Sequence, residues 1–185
     1  MQKHSYDVVT RVLNECFLFD GMEKEIMDRI DVDYAALERE CAHFISQNTT
    51  WALATAAGNR VTCRTVFTVN VGLKLYLQTD TRLTKHRQLL TNPNVALCRD
   101  HVQIEGVAKD MGHPLTPKNQ YFCDLYKRQH PRFFDIYTAV PTQSVVEVTP
   151  TLITTWHHDE ENGYRNFLMI IARKAYREDY PAGAA

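Results

Sequence analysis

Glycine is scarce in this chain. Seven of 185 residues are glycine, about half the usual share of roughly 7%, and the closest two are Gly106 and Gly112. That spacing excludes a G-x-G-x-x-G dinucleotide turn, a Walker-type phosphate loop and a G-x-S-x-G nucleophile elbow. A phosphorylated cofactor, if one binds, must be held by side chains. Serine occurs only at positions 5, 46 and 144, none with a local histidine and acid, which argues against serine hydrolase chemistry. No C-x-x-C occurs: the five cysteines, at 16, 41, 63, 98 and 123, are odd in number and widely spaced. They read as reduced thiols, mostly small buried hydrophobes. No apolar run approaches the roughly 18 residues of a membrane span, and the sequence Met1-Gln2-Lys3-His4 lacks an apolar signal core, so a cytoplasmic location is expected. A charge bias is missing as well. The 21 basic and 22 acidic residues are interleaved, for a net charge of −1, and neither nucleic acid nor a membrane is the expected partner.

What remains is ordinary globular composition, 44% hydrophobic and 23% charged, enough for one domain over 1–185. Residues 1–48 read as a helical segment. Between Asp33 and Asn48, apolar side chains at 34, 37, 41, 44 and 45 repeat with a helical period behind Asp33 as N-cap. The stretches 6–19 and 22–30 are also helix-prone. From Trp51 the texture changes to β-branched and aromatic residues with regular turn signals. Strands are expected at 51–57, 60–70, 73–79, 95–99 and 102–108, with a two-residue turn at Gly58-Asn59, a bulge at Gly106 and a short helix over 82–91. Val61, Cys63, Thr65, Phe67 and Val69 share one strand face, and Cys63 and Cys98 are expected in the core. Residues 114–134 read as mainly helical, 144–149 and 152–156 as strands separated by Pro150, and 164–176 as a strand passing into a helix. The expectation is an α+β fold: a six- to seven-stranded antiparallel β-barrel over 51–178, with N-terminal helices and helical insertions.

Chemistry-bearing residues are densest between 62 and 89. Arg64 sits mid-strand among apolar residues, where it should meet an anion or a carboxylate. Thr79 ends a strand, and Thr84 and Lys85 fall in the first turn of the next helix, where free N–H groups and the helix dipole favour an anion. Together these groups can hold a phosphate without a glycine loop. The plainer alternative pairs Arg64 with a neighbouring acid and leaves the helix merely solvated. The run His157-His158-Asp159-Glu160-Glu161 reads as a solvated turn rather than a metal site, and His86 as a surface residue.

The segments W-A-L-A-T-A-A-G-N-R-V-T-C-R-T-V-F at 51–67, L-Y-L-Q-T-D at 75–80, T-K-H-R-Q-L-L-T-N-P-N-V-A-L at 84–97 and V-Q-I-E-G-V-A at 102–108 resemble, in order and spacing, the pyridoxamine 5′-phosphate oxidase-like FMN-binding split barrels. The resemblance implies a homodimer with FMN at the subunit interface. It puts Arg64 and Lys85 on the phosphate, Thr65, Val66, Phe67 and Thr68 along the flavin ring, and Gln78 and Thr79 at a paired position ending the third strand. His101 stands where the family has a glutamine beside the flavin, and Trp156 matches a late tryptophan reaching the partner's flavin. The family's arginine and serine before the lysine are Thr84 and Leu83 here, and its C-terminal R-x-H-D-R is replaced by Gly163-Tyr164-Arg165-Asn166-Phe167. Vitamin B6 oxidation is therefore not expected. The implied activity is electron transfer from NAD(P)H to a small organic acceptor. The alternatives are a flavin or haem carrier of the same fold, and a barrel without flavin.

Overall fold

The computed structural model describes residues 29–158 and 163–180. Along these runs β1 (Arg29–Asp31), α1 (Tyr34–Gln47), β2 (Thr50–Ala57), β3 (Arg60–Val71), β4 (Lys74–Asp80), α2 (Thr84–Thr91), β5 (Asn94–Arg99) and β6 (Val102–Gly112). An insertion follows, with a 3-10 turn at Pro117–Asn119, α3 (Gln120–Gln129) and α4 (Pro131–Tyr137), and then β7 (Gln143–His158), β8 (Gly163–Met169) and β9 (Lys174–Tyr180). The strands form one antiparallel sheet in the order β1-β9-β8-β7-β4-β3-β2-β5-β6, and an additional β7–β6 pairing closes six of them, β2 to β7, into a barrel.

Alternation in the barrel strands explains the core. Leu53, Leu75, Leu77, Leu97, Ile104, Val146 and Val148 point inward and are fully or almost fully buried, each contributing about 2 kcal/mol relative to exposure. Helix α1 packs on the same core through Leu37, Cys41 and Ile45, in one cluster with Ile153 of β7, Leu168 of β8 and Ala175 of β9. Its start is as expected: Asp33 caps it, accepting from the Ala36 N–H at 2.7 Å. A second cluster lies on the outer wall, where α3 covers Val69, Tyr76 and Val145 with Phe122, Cys123 and Tyr126, and Phe133 and Phe134 of α4 pack against it.

Several expectations need correction. Residues 29 and 30, the end of the helix-prone stretch 22–30, form strand β1 with Asp31, paired with β9; residues 6–19 and 22–28, like Cys16, lie outside the described residues. Pro150 does not end a strand. Strand β7 runs unbroken for 16 residues, because its Gln143–Val148 half pairs with β4 and its Leu152–His158 half with β8, leaving proline at the change of partner. It also faces the β6 irregularity at Glu105/Gly106, where the missing N–H is best tolerated. That bulge was expected, and its glycine is required, since a Cβ there would lie 2.7 Å from the Thr149 carbonyl oxygen. The segment after 163 is a β-hairpin, not a strand passing into a helix: β8 and β9 pair from Gly163↔Tyr180 to Met169↔Lys174. Its aromatics stack across strands, as Phe167 does on Tyr176 with centroids 4.7 Å apart, and this ladder overrides the helical spacing.

The face of β3 carrying Val61, Cys63, Thr65 and Phe67 points out of the barrel. Val61 is 68% exposed, and Cys63 and Cys98 are both exposed, contrary to the expected core placement. Only Val69 is buried, under the insertion helices. Strand pairing continues this outer face sideways, with Cys63 opposite Ala54, Ala54 opposite Ala96, and Ala52 between Thr65 and Cys98.

Candidate functional site

The barrel splits between β3 and β4. These strands pair only from Thr68↔Leu77 to Val71↔Lys74. Beyond that, β3 stays with β2, while Gln78, Thr79 and Asp80 follow β7. Into the gap come the start of α2 and the insertion helices, forming a cleft of about 550 Å³. Six of the sequence-predicted residues line it: Thr65, Val66 and Phe67 from β3, Gln78 and Thr79 from β4, and Lys85 from α2. Sequence reasoning missed Asp80, Arg82, Phe133, Tyr137, Val140 and Gln143 as lining residues. Their signal was faint, because the aromatics belong to an insertion whose docking target no local pattern specifies. Phe133 lies against Phe67 with centroids 4.4 Å apart, and Thr138 donates to Gln78 Oε1 at 3.0 Å, which ties the insertion to the cleft. Tyr126 closes the base, where burial pushes its hydroxyl up to about 12.

Electrostatics at the α2 end are unbalanced toward positive charge. Arg64 is half-buried in β3. Its Nη1 donates to the Leu53 carbonyl (3.1 Å) and to Thr55 Oγ1 (2.7 Å), and its Nη2 donates to Thr62 Oγ1. All three partners are neutral, so the plainer reading of an Arg64–carboxylate pair does not hold among the described residues. Burial lowers the Arg64 pKa. It lowers that of Lys85 too, with the Arg64 charge adding to the effect and Asp80 opposing it. Asp80 itself is held by Arg82 (Nη2–Oδ2 2.7 Å) and by Thr142 Oγ1 at 2.8 Å, and the Arg82 bonds keep its carboxyl well below the usual range. The Asp80–Arg82 pair is internally neutral, which leaves Lys85 as the remaining cation of the lining; Arg64 stands outside the lining, next to Thr65 on β3 and near enough for its charge to act on Lys85.

The other expected residues lie elsewhere. Thr68 is buried, with its carbonyl accepting from His130 Nε2 at 3.1 Å. Thr84 is exposed at the start of α2. His86 is not a surface residue: it is 4% exposed, and its Nε2 meets Asp110 Oδ2 at 3.0 Å. Asp110 also accepts from Ser144 Oγ and from the Gly112 N–H, so this network pins α2 to β6 and β7. His101 lines a separate cavity of about 240 Å³ between α1 and the β6–β7 edge, with its ring 5.6 Å from that of His157. Trp156 lies near the end of β7, opposite Arg165 of β8, whose guanidinium is 3.3 Å from its ring centroid. Within one chain, then, neither His101 nor Trp156 joins the cleft. Among the described residues no group of three His, Cys, Asp or Glu side chains is arranged to hold a metal ion, and residues 159–161 of the histidine-acid run lie outside them.

The family described as pyridoxamine 5′-phosphate oxidase matches residues 37–157, more than half of the chain. The chain belongs to this family. Solved structures with the family's barrel include ChuZ from Campylobacter jejuni (TM-score 0.60, 14% identity, covering 73% of this chain and 61% of that one). A pyridoxamine 5′-phosphate oxidase-related, FMN-binding protein from Nostoc punctiforme gives a TM-score of 0.56 at 15% identity, covering 80% of this chain and 97% of that one. HutZ, a haem storage protein from Vibrio cholerae, gives 0.54 at 16% identity, covering 62% and 89%. At these identities the likeness establishes the fold. No curated protein matches the chain. The match begins within helix α1, and every residue lining the cleft, from Thr65 to Gln143, lies inside it.

Proposed function

We propose that the chain binds FMN in the cleft at the barrel split and works as a homodimeric oxidoreductase, passing electrons from NAD(P)H to a small organic acceptor. One observation carries the reading: Lys85 lines the cleft from the first turn of α2, and Arg64, next to the lining residue Thr65 on β3, gives its hydrogen bonds to neutral groups and to no carboxylate among the described residues. Two half-buried cations that no carboxylate bonds among the described residues favour an anionic ligand. The residues present fit such a group. Arg64 and Lys85 would take the phosphate, and Thr65 to Phe67, Gln78 and Thr79 would border the ring, with Phe133 and Tyr137 as an apolar wall. When bound, the flavin supplies the hydride and electron transfer, and the protein supplies position and electrostatics. Phe67, Phe133 and Tyr126 would exclude water from one side of the ring. The family's C-terminal substrate motif is absent, which argues against vitamin B6 oxidation.

The dimer is supported by the outer face of β2, β3 and β5. Thr50, Ala52, Ala54, Ala56, Val61, Cys63, Thr65, Phe67, Asn94, Ala96 and Cys98 alternate outward there, with no charged side chain among them. A contiguous uncharged sheet face of this kind marks a contact surface. A second copy across it would be the route by which His101 or Trp156 approaches a cleft they do not reach in their own chain. A reducing, cytoplasmic setting suits the four described cysteines, all free thiols, and no helix among the described residues is long and apolar enough to cross a membrane.

The visible spectrum of the purified protein tests the reading. A flavin spectrum, or one gained on adding FMN, is the expected result. A Soret band would favour the haem-carrier alternative, and a colourless protein that takes up no FMN refutes the proposal. Anaerobic mixing with NADH or NADPH then separates enzyme from carrier: an enzyme bleaches, and a carrier stays yellow.

A further inference from the structure

Behind Arg64 lies a closed set of polar contacts whose centre, Gln88, has no part in the cleft lining. Gln88 is 5% exposed and stands three residues after Lys85 in α2, so the two share a helix face. Its Oε1 accepts from Thr55 Oγ1 and from Thr62 Oγ1, both at 2.7 Å, and its Nε2 donates to the Arg60 carbonyl at 3.0 Å. The two threonines are directly opposite one another on β2 and β3. Each hydroxyl has one proton, and each gives it to Gln88, so toward Arg64 each can only accept. Arg64 obliges, with Nη1 donating to Thr55 and Nη2 to Thr62.

We infer that Gln88 is a positioning residue for Arg64, fixing the guanidinium through the paired hydroxyls of Thr55 and Thr62. The direction of the relay leaves little freedom. The Arg60 carbonyl takes the Gln88 amide nitrogen, so the amide oxygen faces the threonines, and the threonine lone pairs then face the guanidinium. The Leu53 carbonyl, Thr55 and Thr62 take three of the five Arg64 N–H donors, leaving Nε–H and one Nη2–H. Those two lie along one edge of the planar group, the edge that grips two oxygens of one anion side by side. Helix α2 thus supplies one cation, Lys85, and aims the other through Gln88. A leucine in place of Gln88 would strand both hydroxyls and free the guanidinium to rotate, whereas a fully satisfied buried network holds one geometry.

The inference rests on the proposed phosphate site, and the experiment separates failure of one from failure of the other. FMN and riboflavin affinities are measured by flavin fluorescence quenching on the full chain and on Gln88→Leu, Thr62→Val and Arg64→Ala. Riboflavin lacks the phosphate, so its binding reports the ring site and the fold. The expected result is that Gln88→Leu and Thr62→Val each weaken FMN about tenfold and leave riboflavin unchanged, as Arg64→Ala also does. If Arg64→Ala abolishes the preference for FMN while Gln88→Leu and Thr62→Val keep it, the phosphate site stands and the role of Gln88 is overturned. If Arg64→Ala also keeps the preference, the phosphate site falls and the role of Gln88 falls with it. Should Gln88→Leu fail to fold, losing riboflavin binding as well, the isosteric Thr62→Val decides alone.

Discussion

Replacing Lys85 with methionine keeps the length of the side chain and removes its charge. In the free protein the ammonium is disfavoured by burial and by the nearby Arg64 charge, with Asp80 acting the other way, so its pKa lies below the ordinary lysine value of about 10.4. A phosphate dianion bound as proposed would raise it again. Losing a charge-assisted contact of this kind costs about 1.5 to 3 kcal/mol, or roughly ten- to 150-fold in dissociation constant. The proton linkage gives a second signature. Affinity for FMN is full below the free-state pKa of Lys85 and falls as pH rises from that value toward the higher bound-state value, by at most about 1.4 kcal/mol per pH unit. The assay is flavin fluorescence titration from neutral to alkaline pH, with riboflavin in parallel to remove ionisation of the ring itself. Lys85→Met should show the weaker FMN binding at neutral pH and none of the alkaline loss. Equal FMN affinity in the variant, or the same alkaline loss, would refute the assignment of Lys85 to the phosphate.

Gly106→Ala forces a methyl to within 2.7 Å of the Thr149 carbonyl oxygen and 3.2 Å of Pro150 Cα. It should cost about 1 to 3 kcal/mol, a fall in melting temperature of roughly 2 to 4 °C for each kcal/mol; an unchanged melting temperature counts against the bulge argument. His86→Leu leaves Asp110 without its 3.0 Å imidazole partner and should lower the denaturation midpoint by the equivalent of about 1 to 3 kcal/mol, and an unshifted midpoint would show that the pair does not stabilise α2. Ala54→Arg places a charge between Cys63 and Ala96 on the outer face. Light scattering should find the native chain a dimer and this variant a monomer, and a monomeric native chain removes the proposed interface.

Much of the barrel was legible because turns and alternation are local. Gly58 has φ +54° in the two-residue turn, where a glycine-asparagine pair predicts a hairpin, and strands β2 to β6 follow from the pattern around it. What was illegible depended on partners distant in sequence. Pro150 reads as a breaker until β6 with its bulge, β4 and β8 are laid beside it. The hairpin of β8 and β9 carries apolar spacing that also suits a helix, and only the aromatic stacking across it decides. His86, one helix position past Lys85 and pointing away from it, reads as a surface residue, yet it is buried with Asp110 as its partner. For the site, the cationic pair could be read from residue type and strand context, and the cleft brings Lys85 to Thr65 and Thr79. Gln88 could not be found that way, because its role lies in hydroxyls on two other strands, and the aromatic wall comes from an insertion that resembles any amphipathic helix.

Strand β7 has a further consequence for how the chain is made. Strands β4 and β6 are complete by Asp80 and Gly112, but each keeps one edge without a partner until Gln143–His158 emerges from the ribosome. At roughly 5 to 20 residues per second, the interval between Gly112 and the end of β7 lasts seconds. For that time the nascent chain displays two open strand edges, backed by Leu75, Leu77 and Ile104 that will later be core. Open edges recruit other strands, and pairings this far apart in sequence form slowly. Yield of native protein should therefore depend on synthesis rate and temperature more steeply than its folded stability would suggest, and a chain ending before residue 143 should aggregate rather than fold.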